Sequence, residues 1–206
     1  MSIFKNREPE FERMVFRDTN ENIRVEISYN AGTEIGKGNP KKTDVFVRGI
    51  NAYKNETIIW EHNLGNINMP TGAWHGLSLI IFNDKDVVLG CSNSIYCLNL
   101  SNGEIIWKKE FESSLITEIS KSGDNEYIYV YFSMFDFSSD FGYGNIAKLS
   151  FQGDLLWNIE KPDNKSLYSN PIHCLEGSLV ATTSDSHLCF IDEKTGKIEK
   201  KVFCKT

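Results

Sequence analysis

No stretch of this 206-residue chain approaches the roughly 20 consecutive apolar residues that a membrane helix needs. The opening "MSIFKNREPEFERMVF" carries scattered charges and no apolar run of signal-peptide length, so a cytoplasmic protein with no membrane role is expected. The segment "GKGNPKK" (36–42) lacks the glycine–lysine–serine/threonine ending of a phosphate-binding loop and reads as a mobile basic loop. No Gly-x-Ser-x-Gly elbow occurs. There is no Cys-x-x-Cys pair and no adjacent cysteine pair. Cys91, Cys97, Cys174, Cys189 and Cys204 are odd in number and sit mostly in apolar, strand-like runs, which suits reduced core thiols, with Cys204 the accessible one. His62, His75, His173 and His187 are well separated, and no spacing links any of them to a nucleophile. His187 and Cys189, two apart on an expected strand, could meet a metal together with Cys174 or His173. Without a paired cysteine motif they read as ordinary packed residues. No metal, cofactor or catalytic group is expected, although residues from distant segments can still assemble a site.

Basic residues are scarce in one part of the chain. The net charge is −6, yet residues 1–42, 43–109 and 164–206 each lie within one unit of neutrality. Residues 110–163 hold Lys121, Lys148 and Lys161 against ten acids. A field of that sign repels nucleic acid and attracts a basic protein; the plainer reading is a solvated acidic face.

What the sequence does contain is a repeat. "NETIIWEHNL" (55–64), "NGEIIWKKEF" (102–111), "QGDLLWNIEK" (152–161) and "TGKIEKKVFC" (195–204) align, with Lys200 where the first three carry Trp60, Trp107 and Trp157. Upstream, "DVVLGCSNSIYCLNLSNGEIIW" (86–107) lies over "SLVATTSDSHLCFIDEKTGKIE" (178–199): a strand, a polar turn, a strand, a glycine turn and a strand. Gly103 and Gly196 suit turns that need positive φ, and Asn99 and Asp192 can hydrogen-bond the turn backbone. A further strand precedes each copy. About sixteen short strands and no convincing helix are expected. Runs such as "YIYVYF" (127–132) are apolar at consecutive positions, which implies cover on both faces of the sheet.

Four-stranded sheets repeated radially make a β-propeller. The pattern in "DEKTGKI" (192–198) and "NLSNGEIIW" (99–107) resembles the quinoprotein-like (pyrroloquinoline-quinone-type) propeller repeat, a relative of the WD-repeat. The resemblance implies an all-β fold, a single domain over 1–206. It would have about four four-stranded antiparallel blades, with repeats near 12–64, 77–111, 115–161 and 168–206. A fifth blade built partly from residues 1–42, or an irregular two-sheet β-sandwich, stays open. It also implies that each tryptophan packs between neighbouring repeats. The quinone does not carry over, because a single short chain without a cysteine pair lacks that family's larger ring and special disulfide.

Function is sought where the pattern breaks. The turn between second and third strands is short in two copies, "CSNS" (91–94) and "TSDS" (183–186), but in the third it becomes "SMFDFSSDFGYGN" (133–145). Phe135, Asp136, Phe137, Asp140, Phe141 and Tyr143 there have the composition of a protein-binding hot spot, unless the rings fold back as a small core. Trp74 and His75, in the inter-repeat loop "NINMPTGAWHG" (66–76), fall outside the repeat and form a second candidate. Size, acidity and address look like the cytosolic immunity proteins of bacterial toxin systems, which implies a basic toxin domain as partner. The alternatives are a scaffold or sensor module, and a small propeller hydrolase or lyase.

Overall fold

The computed structural model describes residues 12–17, 23–32, 35–36, 39–40, 44–69, 77–82, 85–91, 93–112, 115–124, 126–133, 142–163, 165–169, 172–175 and 178–204. Among them there is no helix, and so none long and apolar enough to cross a membrane. Sheet one comprises β1 (Glu12–Arg17), β2 (Ile23–Gly32), β5 (Asp44–Lys54) and β6 (Thr57–Met69). A two-stranded ribbon, β3 (Ile35–Gly36) with β4 (Asn39–Pro40), stands between its second and third strands. Sheet two is β7 (Leu77–Phe82), β8 (Asp86–Cys91), β9 (Ser94–Asn99) and β10 (Ile105–Glu110). Sheet three is β11 (Ile116–Lys121), β12 (Tyr127–Phe132), β13 (Ile146–Ser150) and β14 (Leu155–Asn158). Sheet four is β15 (His173–Leu175), β16 (Ser178–Thr182), β17 (His187–Ile191) and β18 (Ile198–Phe203). Every sheet is an antiparallel meander in sequence order, as the repeat implies.

Two expectations need correction. The segment 36–42, read as a loop, contributes a paired residue to β3 and two to β4. The connection read as 66–76 is shorter, because β6 keeps pairing with β5 as far as Val45 opposite Met69, leaving 70–76 outside the strand.

The consecutive apolar residues of β12 explain how the sheets stack. Successive side chains of a strand point to opposite faces. Ile128, Val130 and Phe132 enter one core with Val88, Ile95 and Cys97 of sheet two. Tyr129 and Tyr131 enter another with Leu179, Ala181, Cys189 and Ile191 of sheet four. Sheet three is therefore sandwiched, and no face of β12 is left to water.

The recurring tryptophan and glycine make each seam. In each sheet the third and fourth strands slip register just before the tryptophan position: at Ala52/Tyr53, Ile105/Trp107, Lys148/Leu149 and Phe190/Ile191. Such a bulge re-aims the side chains around it. It turns the tryptophan toward the next sheet and leaves the preceding pair outside, Ile105 44% and Ile106 52% exposed. The Trp60 Nε1–H donates to Leu100 O (2.6 Å), that of Trp107 to Phe151 O (2.9 Å) and that of Trp157 to Glu193 O (2.9 Å). Each ring lies on the turn glycine of the following sheet. A Cβ on Gly103, Gly153 or Gly196 would stand 2.6, 2.9 or 2.8 Å from the ring of Trp60, Trp107 or Trp157. These glycines have φ of +73°, +87° and +70°, so both the turn and the indole demand them. Asp192 holds the last turn, its Oδ1 accepting from the Lys194 and Thr195 N–H groups (3.0 and 2.7 Å), and Asn99 accepts from Ser101 N–H in the same way (2.8 Å).

Candidate functional site

The tryptophan seams sort the connections onto two rims. Each tryptophan lies near the start of a fourth strand and meets the next sheet's third-to-fourth turn, so these turns (55–56, 100–104, 151–154, 192–197) share one rim. Alternation of antiparallel strands puts the first-to-second turns on that rim too and every other connection on the opposite one. The longest connections, 33–43, 70–76, 133–145 and 159–172, all leave from this opposite rim.

Phe135, Asp136, Phe137, Asp140 and Phe141, and likewise Trp74 and His75, lie outside the described residues. The strand ends that bracket the two segments, Phe132 and Ile146 for one and Met69 and Leu77 for the other, stand on the same long-loop rim. Tyr143, on the return of the first segment, is 36% exposed. Just behind it the chain is locked. Asn145 is fully buried; its Nδ2 donates to Phe132 O (3.2 Å) and Tyr168 O (2.9 Å), and its Oδ1 accepts from Tyr168 N–H (2.9 Å). The Tyr131 hydroxyl also donates to Tyr168 O, and that of Tyr168 donates to Glu160 O (2.8 Å). Burial raises the pKa of both tyrosines, so they act as neutral donors. A Cβ on Gly144 would meet Ile159 Cγ2 at 2.7 Å. The base of the aromatic segment is thus fixed to the connection between β14 and β15, around Tyr168, by a satisfied buried network.

The opposite rim carries a feature that sequence reasoning missed. Between sheets three and four runs a groove of about 490 Å³ lined by Asp124, Tyr127, Lys148, Trp157 and Glu193. It adjoins a second hollow of about 420 Å³ that shares Asp124 and Glu193 and reaches Tyr129 and His173. Lys148 is 4% exposed. Its Nζ donates to Glu193 O (3.2 Å) and Oε1 (3.3 Å) and lies 3.8 Å from the centroid of the Tyr127 ring. The ammonium is satisfied where it stands, and it clamps the last turn onto sheet three. The signal was the register: Lys148 faces Trp157 as Ala52 faces Trp60 and Cys97 faces Trp107.

That arrangement orders two substitutions. Glu193→Ala leaves a buried ammonium short of its carboxylate and is expected to cost about 1–2 kcal/mol, because half of Glu193 is already in water. Lys148→Met removes the charge and keeps most of the volume, and is expected to stay within about 1 kcal/mol of the parent. Urea midpoints in the reverse order would mean that the clamp is not what holds this seam.

Chemistry elsewhere is quiet. His187 and Cys189 do share a face, but Cys189 is fully buried in the core, while the His187 Nδ1 lies 3.0 Å from Asp185 Oδ2 and its ring packs edge-on to Phe203. Among the described residues no three His, Cys, Asp or Glu side chains are placed to hold a metal. Burial pushes the Cys91 and Cys97 thiols up to about 12, and it also raises that of Cys189. Cys204 is exposed. Iodoacetamide on the folded protein is expected to label Cys204 and to spare Cys91, Cys97 and Cys189, as read by peptide mass; labelling of Cys97 before unfolding would contradict the packed seam.

Comparison with known proteins gives the architecture its name. No protein-family model matches, and no curated protein matches. Among solved structures, the β-propeller domain of Myceliophteria thermophila Cps50 (Swd1) aligns with 94% of this chain at a TM-score of 0.54 and 12% identity. The four sheets are propeller blades. BamB from Moraxella catarrhalis aligns with 94% of the chain (TM-score 0.51, 12% identity), and the computationally designed Ika8 protein with 91% (TM-score 0.54, 11% identity). At these identities the likeness is one of fold. The chain spans 58%, 61% and 60% of the lengths of these three structures.

Proposed function

We propose that this propeller is a protein-binding module that engages its partner through the long-loop rim. The observation that carries the reading is topological: the connections that depart from the repeat leave from one rim, while the other rim keeps its short turns. The Asn145 network supports the same reading, since it holds the base of the aromatic segment to a rigid scaffold. A fixed stem lowers the ordering that binding through such a segment must cost.

The finer reading concerns the partner. Residues 110–163 hold the negative excess of the chain, and Asp136 and Asp140 lie within the third blade's long connection. The fitting partner is a basic protein surface, and the biological role we assign is cytoplasmic inhibition of a toxin domain that such a plug would cover. Affinity capture from cells of the source organism, with the partner identified by mass, tests the module. One stoichiometric basic protein is the expected result; no partner, with turnover of a small substrate, would replace the reading with an enzyme. Co-expression with the captured protein tests the inhibitor role, because growth is restored only if the partner is toxic alone and silent in the complex.

A further inference from the structure

The third blade differs from the others at one cross-strand pair. Val25 stands opposite Ala52 in the first blade, Val88 opposite Cys97 in the second and Val180 opposite Phe190 in the fourth. In the third the same register holds Tyr129 opposite Lys148, beside the seam tryptophan Trp157. An apolar pair has become a pair of hydrogen-bond donors. Both residues are buried, Tyr129 5% and Lys148 4% exposed.

The two donors converge on one carboxylate oxygen. The Tyr129 hydroxyl and Lys148 Nζ each donate to Glu193 Oε1, both at 3.3 Å. Charge-assisted hydrogen bonds run shorter, near about 2.7–2.9 Å, so this oxygen is held loosely. The Glu193 side chain is also 52% exposed. Its turn does not depend on the carboxylate: Glu193 O accepts from Trp157 Nε1–H (2.9 Å) and Lys148 Nζ (3.2 Å), and Asp192 fixes the turn backbone from within. The side chain is thus free to leave while the backbone stays. Lys148 and Glu193 line the groove of about 490 Å³, and Tyr129 and Glu193 the adjoining hollow, so both donors border space that a ligand can enter. That volume falls within the roughly 300–1,000 Å³ of small-molecule sites. Tyr127 and Leu156 give the groove an apolar wall, and the exposed Lys194 adds a second cation. Asp124, the other acid there, is taken up by its own turn, its Oδ1 accepting from Ser122 Oγ and from Glu126 N–H (3.1 Å).

We propose that this groove binds a small carboxylate with a flat apolar body, and that Glu193 occupies the carboxylate position in the free protein. The ligand's carboxylate replaces that of Glu193 on Lys148 Nζ and the Tyr129 hydroxyl, and its body lies against Tyr127 and Leu156. The displaced side chain turns to water, where half of it already stands. A tethered competitor weakens every carboxylate alike, so the site selects ligands that bring apolar contact as well as charge. The site lies on the short-turn rim and is independent of the partner read above.

Rescue of Glu193→Ala tests it, with benzoate as the probe and benzamide as its neutral counterpart. Benzoate is expected to raise the urea midpoint of Glu193→Ala above its value in chloride of equal ionic strength, and benzamide to leave it unchanged. In Glu193→Ala/Lys148→Met, which lacks the ammonium, benzoate should do no more than chloride. Calorimetric titration of the folded proteins is expected to give a benzoate dissociation constant about tenfold or more lower for Glu193→Ala than for the parent, because the competitor is gone. Glu193→Gln keeps the volume and removes the charge, and should also bind benzoate more tightly than the parent does, which preserves the test should the truncation fail to fold. No midpoint shift with benzoate, an equal shift with benzamide, or a shift that survives Lys148→Met overturns the site. Equal benzoate affinity in the parent and both Glu193 variants overturns its occupation by Glu193.

Discussion

Trp157→Ala is expected to remove about 3–5 kcal/mol of stability. The indole is 7% exposed and lies in the core shared by blades three and four, beside Tyr129, Ile146, Leu179 and Ile191. Its loss opens a cavity at a seam and leaves the Glu193 carbonyl without the Nε1–H donor. Neighbouring strands cannot collapse into the space, because Gly196 and the Asp192 turn are fixed by their own hydrogen bonds. Since a domain of this size has only about 5–15 kcal/mol of stability in all, insoluble expression is the expected phenotype. Trp107 is only partly buried, so Trp107→Ala is expected to cost less. Equal urea midpoints for the parent and the Trp157 variant would show that the seam is not held by its indole.

Gly196→Ala carries the second large effect, from the opposite side of the same seam. The position has φ of +70°, which charges an L-residue roughly 1–2 kcal/mol. The new Cβ would also stand 2.8 Å from Trp157 Cδ2 and 3.2 Å from Asn158 O. Overpacking of that kind adds about 1–3 kcal/mol, for a total near 2–5 kcal/mol. The two parts can be separated. In a Trp157→Ala background the clash with the ring is gone and the left-handed strain remains, so Gly196→Ala should cost about 1–2 kcal/mol there. A milder seam lesion measured in a soluble background, such as Trp107→Ala with Gly153→Ala, gives the same comparison should Trp157→Ala fail to fold. Additive losses in both cycles would deny the contact between indole and turn.

The blades were legible in the sequence because their two constraints act on rare residues. A tryptophan that must span a seam and a glycine that must turn left-handed beneath it recur visibly at Trp60, Trp107 and Trp157 and at Gly103, Gly153 and Gly196. The apolar run of β12 told that both its faces are covered. Lys148 was not legible alone, since a lysine in a strand ordinarily points to water. Only its register opposite Trp157 places it inside. The ribbon of β3 and β4 escaped because two-residue strands carry no alternation to read. The candidate loop residues were chosen by composition, and what unites their segments is strand parity, which depends on counting every strand between them correctly.

The most direct measurement of the central claim is the salt-dependent affinity of the captured partner for the parent chain, for Asp136→Lys/Asp140→Lys and for Glu193→Ala. The two aspartates fall in sequence between Phe132 and Ile146, strand ends that stand on the long-loop rim, and Glu193 lines the groove on the other. Binding through the long-loop rim predicts that the double lysine variant loses about tenfold or more in affinity with a flatter salt slope, while Glu193→Ala binds like the parent. Unchanged affinity and slope in the lysine variant, with loss in Glu193→Ala, would move the binding site to the groove and contradict the account.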